Sequence, residues 1–220
     1  VSAAPQQGER IGLTPKAKRI AWIVAVVVVI VALGLGTKVV ANGSAAAATT
    51  EAFSAQAYGK KEFPKVQAAI TKRAVDAPTL AAAIAADPTA AGKKYGVNTG
   101  AGAGPEFSVS LTGTFGTNAS GIYPVTVAGL PQTLVVRVQT GPAINGTDLR
   151  DAPGNIAFGD FSNQIDYQNA ATALNDQLKK LVLAKVDTAS LTGKTVTIVG
   201  AFQLINPNSW LITPASLEVK

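Results

Sequence analysis

The 220 residues are 47% hydrophobic and 15% charged, a balance that predicts a folded chain rather than a disordered one. Cysteine and histidine are both absent, which excludes disulfides, thiolate chemistry, zinc sites built on those ligands and nucleophile systems that need a histidine base. The formal net charge of +6 suggests a nucleic-acid binder only until it is divided along the chain. Residues 1–38 hold five basic and one acidic residue, +4, whereas the chain from Pro105 onward holds seven against eight, −1. A phosphate-tracking surface needs a basic stripe there, so no nucleic-acid partner is expected.

The first element is IAWIVAVVVVIVALGLGT, residues 20–37, eighteen residues without a charge. As a helix rising about 1.5 Å per residue it reaches roughly 27 Å, close to a bilayer core of about 30 Å. It predicts a single transmembrane helix. Arg10, Lys16, Lys18 and Arg19 precede it and only Lys38 comes closely after it, so the positive-inside rule makes 1–19 a cytoplasmic leader and puts the folded part outside. A cleaved signal peptide is the competing reading, since small residues at 39–41 and 45–48 offer a peptidase site. The length of the run and of its leader favours a retained anchor.

Residues 38–50 read as a small-residue tether. A small helical domain over 51–96 comes next, with helices expected over 64–75, 78–86 and 88–94. Pro64, Pro78 and Pro88 each mark a first helical residue, and Asp87 an N-cap. Its apolar members, Val66, Ile70, Leu80 and Ile84, are too few for an independent core, so the block must lean on the C-terminal part of the chain. GVNTGAGAGP, 96–105, is a glycine-rich hinge.

Beyond the hinge the periodicity becomes alternating. Strands are expected over 107–115, 123–127, 134–138, 195–202 and 210–219, with one helix over 163–185 capped by Asn163. Three strands, a helix and two strands is the order of an OB-like β-barrel. The fold class is therefore α+β, with the barrel domain over 105–220. Gly193-Lys194-Thr195 imitates the end of a phosphate-binding loop, but residue 188 is Thr where that loop requires Gly, and a strand comes next where it requires a helix.

The candidate site is the connection TGPAINGTDLRDAP, 140–153. Asn145, Asp148, Arg150 and Asp151, with Asn163 and Gln164 just beyond, are groups that bind vicinal hydroxyls, and Tyr123, Tyr167 or Trp210 could supply a stacking face for a small polyol or sugar. The alternative, which we favour, is a staple: Arg150 forks onto Asp148 or Asp151 and onto loop carbonyls, since a structured loop packed under helices needs its polar groups satisfied. A third possibility is hydrolysis of a polyol or sugar by an acid/base pair drawn from Asp148, Asp151, Asp160 and Asp166. Turns and helix caps account for those residues more simply, so the protein is not expected to be an enzyme, and no metal or other cofactor is implied.

GPAINGTDLRDAPGNIAFGDFSNQIDYQNAATALN at 141–175, DPTAAGKKYG at 87–96 and GKTVTIVGAFQLINPNSWLITPASLEV near the end resemble the predicted periplasmic lipoproteins of domain-of-unknown-function family 2291. That resemblance spans about residues 50–220. It implies a small helical domain beside an OB-like one, and a gene neighbourhood of sugar ABC importers. The implied partners are importer subunits or a sugar-binding protein at the membrane, with a purely structural envelope interaction module as a further alternative. It implies no catalytic residues. The chain has no cysteine to lipidate, so the helix 20–37 would take the lipid's place as anchor.

Overall fold

The computed structural model describes residues 15–36, 53–98 and 104–220. Residues 53–220 form one compact unit, and residues 1–52 belong to another. The leader before Pro15, the tether 38–50 and residues 99–103 of the glycine-rich hinge lie outside the described residues.

Helix α1 covers Pro15–Gly36 and takes in all but the last residue of the apolar run 20–37. Its side chains are described without a break over residues 22–31, and from Ile20 to Val31 the described ones are exposed. Among the described residues no helix is both long and apolar enough to cross a membrane.

In the second unit α2 spans Ala55–Arg73, far longer than the helix expected to begin at Pro64, and Pro64 lies inside it. An interior proline costs a helix roughly 3 kcal/mol, and packing on both sides of it overrides that cost here. Ser54 caps the start by accepting from the Ala57 N–H at 3.3 Å. Gly59 and Phe63 are buried before the proline, and Val66 and Ile70 after it. Gly59 is where α2 crosses the later helix α6, and the approach is so close that a Cβ there would lie 2.7 Å from the Ala173 carbonyl oxygen. The short strand β1, Val75–Asp76, comes after it. Then come α3, Ala77–Ala86, and α4, Pro88–Tyr95, each with proline in its first turn as expected. Asp87 caps α4, accepting from Thr89 N and Ala90 N at 2.8 and 3.0 Å.

Five strands close a barrel: β2 Glu106–Phe115, β3 Ile122–Val127, β4 Val135–Gln139, β5 Thr195–Gln203 and β6 Ser209–Val219. Neighbours run β2-β3-β4-β6-β5 and back to β2, every pairing antiparallel except β4 with β6. β1 adds a parallel pairing to β2 at Val109 and Ser110. Between β4 and β5 lie the one-turn helix α5, Asp148–Asp151, and then α6, Gln164–Leu181, which starts where predicted with Asn163 accepting from the Asp166 N–H at 2.9 Å. α6 ends four residues before the predicted 185, and a 3₁₀ turn over Leu183–Lys185 completes the segment.

The barrel interior is built by alternation: Phe107, Val109, Leu111 and Phe115 share one face of β2 and are all buried. Phe107, Phe202 and Trp210 form a ladder, with ring centroids 5.7 and 4.6 Å apart. α2 spans the junction of barrel and helices, and Gln67 Nε2 donates to the Ala215 carbonyl of β6 at 2.6 Å.

Candidate functional site

The loop leaving β4 is tied down before it reaches its charged residues. Thr140 donates to the Gly121 carbonyl twice, from N at 2.8 Å and from Oγ1 at 3.0 Å. Gly121 has φ +84°, and a Cβ there would fall 1.4 Å from the Gly141 oxygen, so only glycine permits this contact. Gln139 holds the backbone of Asn145 from both sides: its Oε1 accepts from Asn145 N at 3.1 Å, and its Nε2 donates to Asn145 O at 3.0 Å. The Asn145 residue itself is exposed.

One turn of α5 then sends Asp148 one way and pairs Arg150 with Asp151. Asp148 turns inward, where Oδ2 accepts from the Thr213 hydroxyl at 2.5 Å, and Thr213 in turn accepts from Gln139 Nε2 at 2.9 Å. Burial, with the Asp151 charge adding, raises the Asp148 carboxyl to about 6 against the pull of the Thr213 hydroxyl. Arg150 grips Asp151 side-on, Nε to Oδ1 at 2.7 Å and Nη2 to Oδ2 at 3.0 Å. Its Nη1 donates to the Tyr167 carbonyl at 3.1 Å, and its Cζ lies 3.6 Å over the Tyr167 ring. Thr147 Oγ1 donates to Asp151 Oδ2 at 2.6 Å, and the Tyr167 hydroxyl makes a long 3.5 Å contact with Oδ1. Arg150 and Asp151 are only 7% and 4% exposed. This is the fork geometry of a staple, with Asp151 rather than Asp148 as the acid.

The pair also lines an open cleft of about 560 Å³, with Tyr167, Phe158, Gln164 and Ile156 among its other walls. Phe158 is 54% exposed and meets Tyr167 edge-on at 5.6 Å. Tyr167 also packs on Phe161, 5.3 Å away, which touches Phe53 and Tyr58. Among the predicted residues, then, Arg150, Asp151, Gln164 and Tyr167 come together at one cleft. Asn163 is occupied as a helix cap, while Asn145 and Asp148 are outside its walls. Tyr123 and Trp210 offer no stacking face: each is 0% exposed, Tyr123 with its hydroxyl donating to the Thr188 carbonyl at 2.9 Å and Trp210 in the barrel ladder.

The four aspartates of the hydrolytic alternative are similarly committed. Asp160 Oδ2 accepts from Ala157 N at 2.8 Å, and Asp166 Oδ2 accepts from Asn163 Nδ2 at 2.9 Å. Asp151 is surrounded by donors and Asp148 is bound to Thr213.

Two features escaped the sequence reading. Phe158 opens a 3₁₀ turn of three residues, Phe158–Asp160, too short for any periodicity to orient it. Glu106, 1% exposed with neither carboxyl oxygen hydrogen-bonded, lies at the start of β2, and Ser108 on the same face of that strand is equally buried and unpartnered. Val97, a wall of the cleft, exchanges two 2.8 Å backbone hydrogen bonds with Glu106. Burial pushes the Glu106 carboxyl up to about 9, with Asp148 and Asp151 adding and Arg150 opposing. At neutral pH it is therefore the uncharged acid.

The chain is similar to the crystal structure of an OB-fold protein from Thermotoga maritima, at 20% sequence identity and a TM-score of 0.64, over 77% of this chain and all of that one. At that identity the likeness shows the fold alone. No curated protein sequence matches the chain. The family model described as "Predicted periplasmic lipoprotein (DUF2291)" matches residues 26–218.

Proposed function

Since the chain belongs to this family of predicted periplasmic lipoproteins, we propose that it is a non-catalytic, extracytoplasmic binding module, anchored by the helix within residues 20–37, whose cleft beside α5 takes a small polyol or sugar on behalf of a carbohydrate importer. The single observation that carries the binding reading is the 560 Å³ cleft, in which the half-exposed ring of Phe158 stands beside the polar groups of Arg150 and Gln164. An aromatic face for the C–H side of a sugar and a few fixed polar groups for its oxygens is the usual composition of such sites. The barrel interior offers no competing site, being filled by Phe107, Phe202 and Trp210.

Anchoring and topology rest on the sequence. The charge-free run, helical as far as Gly36 and with its described apolar side chains exposed, suits lipid as its surroundings. The basic residues before it favour a cytoplasmic N-terminus, and a single such run corresponds to a single-pass topology. The importer link rests on the family resemblance. Non-catalytic action is favoured by the engagement of all four loop aspartates. Co-purification from native membranes in mild detergent tests the partnership: importer subunits or a sugar-binding protein should accompany the chain, and their absence would remove the transport reading.

A second reading, an envelope interaction module, draws on another groove of about 410 Å³ lined by Pro88, Gly92, Pro105, Leu204, Ile205 and Pro207. Ile205 there is 77% exposed, as a protein-docking surface would require. Cross-linking at Ile205 that captured an envelope protein, with no sugar binding at the α5 cleft, would favour this alternative.

A further inference from the structure

Phe53, Tyr58 and Phe161 stand behind the wall of the α5 cleft without lining it. They close a triangle, with ring centroids 5.5 Å apart for Phe53 and Tyr58, 5.5 Å for Phe53 and Phe161, and 5.6 Å for Tyr58 and Phe161. Phe161 is the corner that reaches the cleft. Its ring packs on Tyr167 at 5.3 Å, and its backbone N–H donates to the Phe158 carbonyl at 3.1 Å. Asp160 closes the same turn from the other end, its Oδ2 accepting from Ala157 N at 2.8 Å. The exposed Phe158 ring, which touches Tyr167 edge-on at 5.6 Å, therefore takes its place from a short turn whose far end is set by Phe161.

The other two corners come from about a hundred residues earlier in the chain. Phe53 opens the compact unit 53–220, and Tyr58 lies in the first turn of α2. The Tyr58 N–H donates to the Ser54 carbonyl at 2.9 Å, and Ser54 Oγ accepts from Ala57 N at 3.3 Å. All three rings are half-buried. Helix ends open more readily than helix middles, so the aromatic wall of the cleft leans on a part of the fold that responds to small changes in packing.

Resting on the proposed sugar-binding reading, we infer that the start of α2 belongs to the binding site as its positioning element: Phe53 and Phe161 hold the turn that presents Phe158, and sugar binding is linked to order at residues 53–58. Neither Phe53 nor Phe161 lines the cleft, so both act through the rings that do. Such a linkage is reciprocal. A sugar resting on Phe158 and Tyr167 stabilises the closed triangle, and loss of the triangle weakens the sugar.

The test uses the full chain in detergent micelles with glucose, galactose, mannose and xylose. In the parent, a sugar that binds should slow hydrogen exchange at the Ala57 and Tyr58 amides, which lie outside the cleft. By calorimetry, Phe53→Ala should weaken that sugar about two- to tenfold, the worth of one aromatic pair, and Phe53→Tyr, which keeps the ring, should restore it. Phe161→Ala should weaken it at least as much. In the sugar-free chain with labelled rings, Phe53→Ala should displace the Phe158 signals, although Phe161 stands between the two. A role in stability alone would lower the melting temperature of Phe53→Ala while leaving its sugar affinity and Phe158 signals at the parent values, and that result overturns the inference. Binding with no change in exchange at Ala57 and Tyr58 overturns the linkage. If Phe53→Ala displaces the Phe158 signals but the parent binds none of the four sugars, the sugar reading falls and the linkage with it, while the positioning of Phe158 stands.

Discussion

The guanidinium of Arg150 holds the carboxylate of its own chain neighbour, Asp151, in a two-bond fork, Nε–Oδ1 2.7 Å and Nη2–Oδ2 3.0 Å, with both residues almost fully buried. Adjacent residues rarely meet this way in extended chain. Here one turn of α5 and the Tyr167 carbonyl under Nη1 make it possible. Removing Arg150 leaves Asp151 buried and unpaired, and that typically costs about 3 to 5 kcal/mol, a large share of a domain's stability. Arg150→Ala is therefore expected to melt far below the parent or to fail to accumulate. A melt within a degree or two of the parent would show that the fork is dispensable.

Phe158 should behave in the opposite way. Its ring is more than half exposed and touches Tyr167 only edge-on, so Phe158→Ala should change stability by less than about 1 kcal/mol. Sugar binding, measured by calorimetry, should fall at least tenfold. The comparison of the two variants separates the residue that holds the loop from the residue that offers the ligand a surface.

The Glu106 carboxyl makes stability depend on pH. Its folded-state value is raised from 4.5 to about 9 by burial, so between those limits the folded state binds the proton and the unfolded state does not. Its contribution is complete below about pH 4.5 and is lost as pH rises toward 9. Asp148, raised from 3.8 to about 6, acts with the same sign over a lower window. The parent's melting temperature should decline from pH 6 to pH 9, and Glu106→Gln, uncharged throughout, should flatten that decline. A parallel decline in both proteins would relieve Glu106 of the role.

These residues also show how far the sequence could be read. The barrel strands were legible because alternation is a local property: Phe107, Val109 and Leu111 announce their inward face without knowledge of the partner strand. The same alternation, taken further, places Trp210 with Ile212 and Tyr123 with Val125 and Val127 inside the barrel, and so removes both rings from the stacking candidates. Pro64 misled because a first-turn proline and an interior proline look alike in sequence. The crossing of Gly59 on Ala173, which extends α2 upstream, is a tertiary fact. Glu106 had no local signal at all. It is bridged antiparallel to Val97 across the hinge and feels the charge of Asp148 on α5, about forty residues away in the chain. The Arg150 fork was foreseen in kind, because charged residues in a packed loop must find partners, but Asp148 and Asp151 could be told apart only in three dimensions.

Anchoring is open to a direct check. The eighteen-residue apolar run and the basic residues before it predict that the full chain stays in the pellet after alkaline carbonate extraction and keeps its N-terminus. Recovery of a soluble species starting near Asn42 would make the run a cleaved signal peptide.

If the cleft walled by Arg150, Phe158, Gln164 and Tyr167 is the sugar site, a bound sugar perturbs its rings and not those buried in the barrel interior. Protein-observed NMR of the full chain in micelles, with labelled aromatic rings and a panel of neutral hexoses and pentoses, examines it most directly. Saturable shifts are expected at Phe158 and Tyr167, with Trp210 and Tyr123 unmoved. Saturable shifts confined to Trp210 or Tyr123, or no response from any ring across the panel, would contradict it.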